Sequence, residues 1–577
     1  MDAFLARHSF PNYEALHRVS VDNPTWFWNT VADELGILWR QRPTSIIDET
    51  DGIAFTKWFS GAKLNAVETL LRHSGTALIE EDEDLQVSEV SYAELASRVW
   101  SVSSDLGRLG VKAGDRVGLI CEFGADGVAA LLGILAMGAV AVPMFSGFAP
   151  SAVAARLQHC DARVLLLQTS IRHADVRADT LRFAQELQQL VPRLVIHQFR
   201  TIEPIAGTGG LEIVDSEAHA LICYTSGTTA APKAAVHVHA GFLVRSAMEG
   251  RLSFNLEPGR RFLWPSDIGW IVAPWQVMFV LSVGATLVLL PGSPRHPLDR
   301  VLSAARRYGV YALGLSPSLV RSWQAKGLQT DSYPGLSLIV ISGEPLDLET
   351  WRWLDNNLGQ HSRPILNCSG GTEVGGAFFM PPVVEENPAT SVGRPALGIL
   401  PDVFDVDGTR CPIGVKGELV IRRPWPSMSR GLFGARDRYI ETYWGRFRHV
   451  WNHGDWVSRD EAGHWFLHGR ADDVIKVAGR RIDPRELEAV IAQLTSVEDV
   501  AVVAVPDPVK GSRLRAVVVA TPGHAPTSAE IQRHVERVLG KVYRPEEVLL
   551  VDSLPRTETG KLQRTQVRTY AGQKSNG

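Results

Sequence analysis

The sequence predicts an α/β protein with a large N-terminal domain of helix-covered sheets, a small β-rich lobe and a small α+β C-terminal domain. Three observations support this. Strands and helical patterns alternate from about residue 91 to 350, turn-rich short strands take over between residues 391 and 465, and a separate unit begins after Gly469. We therefore place the two domains at residues 1–470 and 471–577.

The alternating region carries the main evidence for the fold class. Tyr92–Gly107 and Pro150–His159 have helical patterns, and short, apolar, β-branched runs stand between such segments. This alternation is typical of sheets covered by helices on both faces. The predicted strands are Val117–Cys121, Val164–Gln168, Ala220–Tyr224, Thr286–Leu290 and Leu336–Ile341.

The rest of the chain indicates the lobe and the second domain. Gly417–Arg422 is a short strand among Gly, Pro and Asp turns, as in a small β-rich lobe. Capping boxes at 483–486 and 527–530 begin two helices, the second reaching about Leu539. Three further strands are predicted at Val500–Val505, Leu514–Ala520 and Val548–Val551.

The composition excludes several classes of protein. Of the 577 residues 45% are hydrophobic and 21% charged, which is typical of a globular protein and not of a disordered one. The net charge of −4 argues against a nucleic-acid partner. Five widely spaced cysteines form no CxxC or zinc pattern, so we expect a reducing, cytoplasmic location.

Two uncharged stretches, 127–144 and 268–294, are long enough to raise the question of a membrane helix. Each contains Gly and Pro residues that interrupt a continuous helix. Both are better explained as a buried helix followed by a buried strand, Val128–Met137 then Ala139–Val142, and Trp275–Val283 then Ala285–Leu290. We therefore expect no membrane partner.

The segment 224–233, Tyr-Thr-Ser-Gly-Thr-Thr-Ala-Ala-Pro-Lys, is the most specific motif in the chain. A small, hydroxyl-rich loop after a buried strand offers N–H groups and hydroxyls to phosphate oxygens, and Lys233 adds a positive charge. The spacing differs from the Walker pattern. Taken alone, such a string is more often an ordinary turn.

Together with four later motifs, this segment resembles the adenylate-forming enzymes, the family of acyl-CoA synthetases, peptide-synthetase adenylation domains and firefly luciferase. The motifs follow in the family's order and reach almost to the end of the chain. Segments 13–28, 57–71 and 147–156 further resemble the acetyl-CoA synthetase branch. The four later motifs are Gly371-Thr372-Glu373, Gly454-Asp455, the segment 470–476 and the segment 555–561.

The resemblance implies a two-step ligase that uses ATP, magnesium and CoA. A carboxylic acid and ATP give an acyl-adenylate and pyrophosphate, and CoA then displaces AMP. The enzyme mainly positions the reactants and neutralises charge on the triphosphate. The C-terminal domain of the family is mobile and rotates between the two steps about a hinge, which matches Asp472 here.

The resemblance also assigns site residues. Glu373 holds magnesium, Asp455 accepts hydrogen bonds from the ribose, and Lys561 contacts the carboxylate and α-phosphate oxygens. Arg470 and Arg481 contact ribose or phosphate. The catalytic set is Lys561, Glu373, Thr225 and Lys233. The remaining nucleotide contacts are Ser226, Gly227, Thr228, Thr229, Gly343, Glu344, Pro345, Gly371 and Thr372.

The acyl and CoA sites follow from the same resemblance. The branch has a tryptophan where Gly370 stands, so the glycine predicts space for an acid larger than acetate. His237 is expected either at the acyl group or in a structural role. The acyl pocket comprises His237, Ile271, Val272, Ser342 and Gly370, and the CoA contacts are Gly147, Arg172, Ala478 and Gly479.

Two departures from the family pattern fall at the ATP site. Ala230 and Ala234 replace glycines of the phosphate loop, where a methyl group is expected to cost on the order of 1 kcal/mol or more. Ser369 replaces an aromatic ring beneath the adenine, a loss of roughly 1–3 kcal/mol. The first half-reaction is therefore the one that these substitutions are expected to weaken.

Four hypotheses follow. The first is an AMP-forming acyl-CoA synthetase for a medium-sized or bulky acid. The second is the same fold specialised for thioester formation from a preformed acyl-adenylate. The third is a non-catalytic acyl- or nucleotide-binding protein, which the presence of Glu373, Asp455 and Lys561 disfavours. The fourth, a luciferase-like oxygenase, has no feature in its favour. The acid and the oligomeric state, a homodimer included, stay open.

Overall fold

The computed structural model describes the chain apart from a set of short gaps. Those gaps are 174–175, 207–208, 226–232, 293–296, 329, 331, 344–345, 347, 471–474, 478–479, 483, 508–510, 525, 556–565, 569–570 and 572–577. The predicted hinge at Asp472 and the predicted catalytic Lys561 lie in these gaps. So do Ser226, Gly227, Thr228, Thr229, Ala230, Glu344, Pro345, Ala478 and Gly479.

Two large, mainly parallel sheets form the core of the N-terminal domain, as the alternating pattern predicts. In each sheet only the pair at one edge is antiparallel. The six-stranded sheet has the order Val195–Phe199, Val164–Gln168, Arg116–Ile120, Val140–Pro143, His219–Thr225, Lys233–Val238. The seven-stranded sheet has the order Ile365–Asn367, Leu338–Ile341, Ala312–Leu315, Arg261–Leu263, Thr286–Leu289, Thr76–Glu81, Val87–Ser91.

Helices cover these sheets because buried parallel strands need apolar layers on both faces. Tyr92–Arg108 is capped by Ser91, whose hydroxyl accepts from the N–H of Glu94. Ala125–Ala136 is buried apart from Asp126. The other α-helices before residue 470 are Asp2–Arg7, Tyr13–Asp22, Pro24–Glu34, Ala66–Leu71, Pro150–His159, Leu181–Leu190, His239–Met248, Val272–Leu281, Arg300–Arg307, Pro317–Ala325, Leu348–Leu354 and Arg436–Tyr443.

The β-rich lobe is a four-stranded antiparallel sheet, as its turn-rich sequence predicts. Its strands are Pro401–Phe404, Gly417–Ile421, Trp451–Arg459 and Trp465–Arg470. A separate two-stranded hairpin pairs Ser369–Gly371 with Gly376–Phe379, and the short 3-10 turn Thr372–Val374 joins its strands. Further two-stranded pairs are Ser45–Asp48 with Lys57–Ser60, Lys63–Leu64 with Val214–Asp215, and Ser170–His173 with Val176–Asp179.

The C-terminal region has the predicted α+β composition. Its hairpin pairs Ile475–Val477 with Arg480–Ile482. Thr527 caps the second helix by accepting from the N–H of Glu530, as the capping box predicts. The helices are Pro484–Ile491 and Ser528–Leu539, and the sheet contains Val497–Asp507, Gly511–Ala520 and Glu547–Val551.

The C-terminal region packs on the six-stranded half of the N-terminal domain. The ring of Phe148 stacks on Tyr543 with centroids 6.1 Å apart. The hydroxyl of Ser151 donates to the carbonyl of Val538 at 2.9 Å. One continuous apolar cluster therefore contains residues of both regions.

Both uncharged stretches adopt the predicted helix–strand form. Ala125–Ala136 precedes the strand Val140–Pro143, and Val272–Leu281 precedes Thr286–Leu289. None of the helices in the described part of the chain combines the length and the apolar character that crossing a bilayer requires. All five cysteines are buried and unpaired.

Candidate active site

A cavity of about 780 Å³ opens where the carboxyl ends of the two parallel sheets meet. The residues that immediately follow six strands of these two sheets line it. Such crevices are where open α/β sheets bind ligands, since the loops that follow the strands diverge there. Those six residues are Met144, Trp264, Leu290, Ser316, Ser342 and Cys368.

The predicted phosphate and magnesium motifs converge beside this cavity. Thr225 ends one strand and Lys233 begins the next, so both ends of the phosphate loop lie together. Thr225 Oγ1 is 3.5 Å from Glu373 Oε1. Thr225 and Thr372 line the cavity, whereas Glu373 is only 2% exposed and lies behind them. Residues far apart in sequence thus form one polar cluster.

Tyr443 completes this cluster, and no motif predicted it. Its hydroxyl donates to Glu373 Oε1 at 2.5 Å and accepts from Lys233 Nζ at 3.4 Å. The ammonium nitrogen of Lys233 also lies 5.1 Å from the Tyr443 ring centroid. Tyr443 therefore holds the lysine and the carboxylate in a fixed relation.

Stacked rings connect Tyr443 to the predicted ribose carboxylate. Tyr443 lies on Trp451 with centroids 4.2 Å apart and planes 7° apart, and Trp451 stacks on His453. His453 Nε2 is 3.8 Å from Asp455 Oδ2. Residues 451, 453 and 455 stand at every second position of one strand, and their side chains meet although the pairing of this strand shifts register here. That period of two, ending at Gly454-Asp455, is the sequence signal that identifies this stack.

Asp455 itself is buried and is not among the residues that line the cavity. It pairs in register with Arg470 across two strands of the lobe, so the backbone brings these two predicted ribose contacts together. Arg481 lies in the hairpin of the C-terminal region, where only its backbone is described. Gly343 and Gly371, two predicted nucleotide contacts, line the cavity.

Four of the five predicted acyl-pocket residues line the cavity: Ile271, Val272, Ser342 and Gly370. His237 does not. It is buried, and its Nε2 lies 2.8 Å from the carbonyl oxygen of Thr372, next to Glu373. Of its two expected roles, the geometry favours the structural one, which is to support the turn that carries the magnesium motif.

Gly370 lines the cavity, and the expectation that it leaves room for an acid larger than acetate stays a prediction. A Cβ built on Gly370 would lie 2.0 Å from the carbonyl oxygen of Gly376 and 2.9 Å from Cα of Ala377. The glycine is therefore required for the close approach of the two hairpin strands. A tryptophan at position 370 would need this hairpin to move and would not merely fill empty space.

One of the two expected causes of a penalty at Ala234, a positive backbone φ, does not occur. Ala234 lies within the strand Lys233–Val238, paired with Tyr224, and its backbone is not among the positive-φ positions. Its methyl group is buried in the apolar cluster shared by the two regions. The backbone conformation at this position therefore does not require glycine. Ser369, by contrast, does line the cavity, without a ring to offer an adenine.

The predicted CoA contact Gly147 faces the C-terminal region. Its carbonyl oxygen lies 2.4 Å from where a Cβ on Gly540 would stand, and Gly540 has a φ of 99°. Both the conformation and the space at position 540 thus require glycine. Residues from this side of the cavity include Leu514, Val542 and Tyr543. Of Arg172, only the backbone is described.

Two buried histidines predict a pH-dependent stability. Burial lowers the pKa of His237 and of His239 to about 4. The unfolded chain therefore binds protons between about pH 6.5 and 4 that the folded chain does not, so stability falls as the pH falls through that window. We expect the free energy of unfolding to decrease by about 3–4 kcal/mol between pH 7 and pH 5.

Urea unfolding at these two pH values measures this effect. His524→Ala, at an exposed position, should leave the pH slope unchanged. An equal stability at pH 7 and pH 5 would contradict the burial of two neutral histidines.

Comparison with known proteins identifies the family. Residues 73–433 match the model of the AMP-binding enzymes, residues 486–561 their C-terminal domain, and residues 13–69 the acetyl-coenzyme A synthetase N-terminus. An acetyl-coenzyme A synthetase of Deinococcus radiodurans is 32% identical over 603 residues, covering 98% of this chain and 92% of the relative. One of Escherichia coli K12 is 28% identical, with 98% and 92% covered.

Among solved structures, the acetoacetyl-CoA synthetase from Streptomyces lividans matches with a TM-score of 0.78 at 27% identity, covering 98% of this chain and 92% of that one. The large N-terminal and small C-terminal regions agree with the ranges of the matched family models and with this structural match. The chain therefore belongs to the AMP-binding enzyme family, as an acyl-CoA synthetase related to the acetyl-coenzyme A synthetases and thus an AMP-forming ligase.

Proposed function

We propose that this enzyme converts a medium-sized or bulky carboxylic acid to its CoA thioester through an acyl-adenylate. The observation that carries the proposal is that Lys233 and Glu373 converge behind Thr225, which lines the same cavity as Ile271 and Val272. A polar cluster suited to a triphosphate thus stands beside an apolar wall suited to an acyl group. The cavity of about 780 Å³ is lined by predicted nucleotide contacts as well as by this apolar wall.

The charged residues of the site have different proposed roles. Lys233 supplies a cation to the phosphates, and Asp455 accepts from the ribose hydroxyls. Within the described residues no group of three metal-ligating side chains occurs. Glu373 with Thr225 nevertheless suits magnesium, which commonly takes one carboxylate and completes its shell with water and substrate phosphates. Magnesium, when bound, would neutralise charge on the phosphate oxygens.

The second step needs access for the CoA thiol. Tyr543 and Val542 of the C-terminal region line the cavity together with Phe148 of the N-terminal domain. This seam between the two regions is the route we propose for CoA. We also propose a cytoplasmic location, where five buried, unpaired thiols would stay reduced.

An acid panel tests the function directly. Each acid is incubated with ATP, magnesium and CoA, and both AMP and thioester are measured. We expect equal amounts of AMP and thioester for at least one acid larger than acetate. Release of AMP without thioester from every acid, or no reaction with any acid, would contradict the proposal.

A substitution in the proposed acyl wall should alter the choice of acid. Val272 begins a helix and lines the cavity, so Val272→Phe adds volume there. We expect kcat/KM for the largest accepted acid to fall about 5- to 150-fold, which corresponds to ~1–3 kcal/mol of overpacking, with acetate much less affected. Val384→Phe, at an exposed position, is the matched control. Equal losses for all acids would remove Val272 from the pocket.

A specialised variant of this function is the second candidate. Ser369 offers no ring to the adenine of ATP, and the C-terminal region packs over the CoA side of the cavity. Both observations favour an enzyme that forms thioesters from acyl-adenylate more readily than it forms adenylates.

A further inference from the structure

A fully buried ion pair lies directly behind the acyl side of the cavity. Arg245 and Glu249 are on the helix His239–Met248 and the π-helical turn that continues it, and both side chains are 0% exposed. Arg245 Nε donates to Glu249 Oε1 at 2.9 Å. Burying two charges costs free energy that an apolar pair would not cost, so this pair calls for an explanation beyond stability.

The pair holds one residue of the hairpin by both of its backbone groups. The N–H of Ala377 donates to Glu249 Oε1 at 3.1 Å. The carbonyl of Ala377 accepts from Arg245 Nη2 at 2.8 Å. Ala377 is the residue that pairs with Gly370, and both line the cavity. The ion pair thus fixes the strand Gly376–Phe379. This strand can approach Gly370 closely because Gly370 has no side chain.

The same carboxylate orients an aromatic wall. Trp275 Nε1 donates to Glu249 Oε2 at 2.8 Å, and Trp275 lines the cavity. Because its N–H is directed at Glu249, which is not a lining residue, the indole offers the cavity a ring without a free donor. Trp264 and Phe279 pack against the indole with centroids 6.0 and 5.0 Å away.

We propose that Arg245 and Glu249 are specificity-determining positioning residues, which set the depth of the acyl pocket by fixing Ala377 and Trp275. The proposal rests on the proposed acyl-CoA synthetase function and names its substrate class. The acid has an apolar end, because the surface that meets it is an indole ring and a glycine–alanine backbone. The size of the acid is limited by the wall that Ala377 and Trp275 form, which Arg245 and Glu249 hold in place. No large side chain at position 370 sets this limit.

The test compares two homologous acids, the largest that the enzyme accepts and the next larger one. We call the Arg245–Glu249 pair, with its contacts to Ala377 and Trp275, the clamp. The double variant Arg245→Met/Glu249→Met removes the clamp without leaving one buried charge unpaired. We expect the ratio of kcat/KM for the two acids to change by about tenfold or more in favour of the larger acid, within the range for one methylene in an apolar pocket. A purely structural role would lower both values together and leave the ratio unchanged.

A matched control and a second variant complete the design. Arg98→Met/Asp126→Met removes a partly buried ion pair that does not line the cavity, and its ratio should stay within twofold of the unmodified enzyme. If the clamp variant does not fold, the variant Trp275→Phe tests the proposal in its place. That variant keeps a ring but loses the N–H, and we expect a threefold or larger change in the ratio. An unchanged ratio in a folded clamp variant or in Trp275→Phe overturns the proposal.

Binding separates this proposal from the proposed function. Acylsulfamoyl adenosines carrying the same two acyl groups resemble acyl-adenylate and need no turnover, so calorimetry gives the ratio of their Kd values. If no acid is converted but the clamp variant shifts this ratio, the activity fails and the clamp stands. If acids are converted and both ratios stay fixed, the clamp fails and the activity stands. If neither analogue binds to the enzyme, the proposal of the clamp is overturned too.

Discussion

Glu373→Gln is expected to reduce acid-dependent pyrophosphate release by about 100-fold or more, which is typical for the loss of one preorganised electrostatic contact in an active site. The amide keeps the shape of the side chain but removes the charge that faces the Lys233–Tyr443 pair and that we propose for magnesium. Thioester formation from purified acyl-adenylate and CoA should change less than threefold, because that step involves no triphosphate.

Two tyrosines on one helix make this prediction sharper. Tyr443→Phe removes only the hydroxyl that contacts Glu373 and keeps the stack on Trp451, so we expect an intermediate loss of pyrophosphate release, about tenfold. Tyr439→Phe, one turn earlier, removes a hydroxyl that contacts the carbonyls of Ala54 and Ser429 instead. It should leave the rate unchanged. Equal effects of the two tyrosine variants, or equal loss in both half-reactions for Glu373→Gln, would disprove the assignment.

Ser369→Tyr should improve the use of ATP. Stacking of a ring on the adenine should stabilise bound ATP by ~1–3 kcal/mol, so KM for ATP should fall by about 5- to 150-fold. The rate of thioester formation at saturating acyl-adenylate should stay within threefold, since the acyl group adds its own binding. Steady-state kinetics of pyrophosphate release and of thioester formation measure the two effects separately.

Ala234→Gly is the informative control for this experiment. Because Ala234 lies in a paired strand, glycine should not improve ATP use and should lower the free energy of unfolding by about 1 kcal/mol. A gain in ATP use equal to that of Ser369→Tyr would show that the phosphate loop does require glycine there. In the unmodified enzyme, comparable rates with ATP plus acid and with acyl-adenylate would exclude the specialised variant of the function.

Sequence reasoning located most of the elements. Pro150–His159 and Val164–Gln168 were predicted to the residue, because Pro at a helix start and a short apolar run are local signals. Other boundaries differ by a few residues, as with the helix Ala125–Ala136, which begins three residues before the predicted Val128. The alternation of strands and helices predicted helix-covered sheets, whereas their division into one six-stranded and one seven-stranded sheet is known only from the structure.

The site was only partly predictable. Motifs mark what contacts a nucleotide, whereas Tyr443 and Glu373 are 70 residues apart and Arg245 and Ala377 are 132 apart, so only the fold brings them together. Glycine is ambiguous in sequence for a physical reason. The absence of a side chain leaves either an open space or room for another backbone, and at Gly370 it is the backbone of Gly376 that occupies this room.

The five unpaired cysteines have a practical consequence for following motion. Burial raises the pKa of the thiols of Cys121, Cys160, Cys223, Cys368 and Cys411, so little thiolate is present to react with maleimide dyes. We therefore expect the five cysteines of the unmodified chain to react little with such dyes. One new surface cysteine in each of the two regions would carry a donor and an acceptor fluorophore, and the distance between them during single turnovers would test the predicted rotation of the C-terminal region.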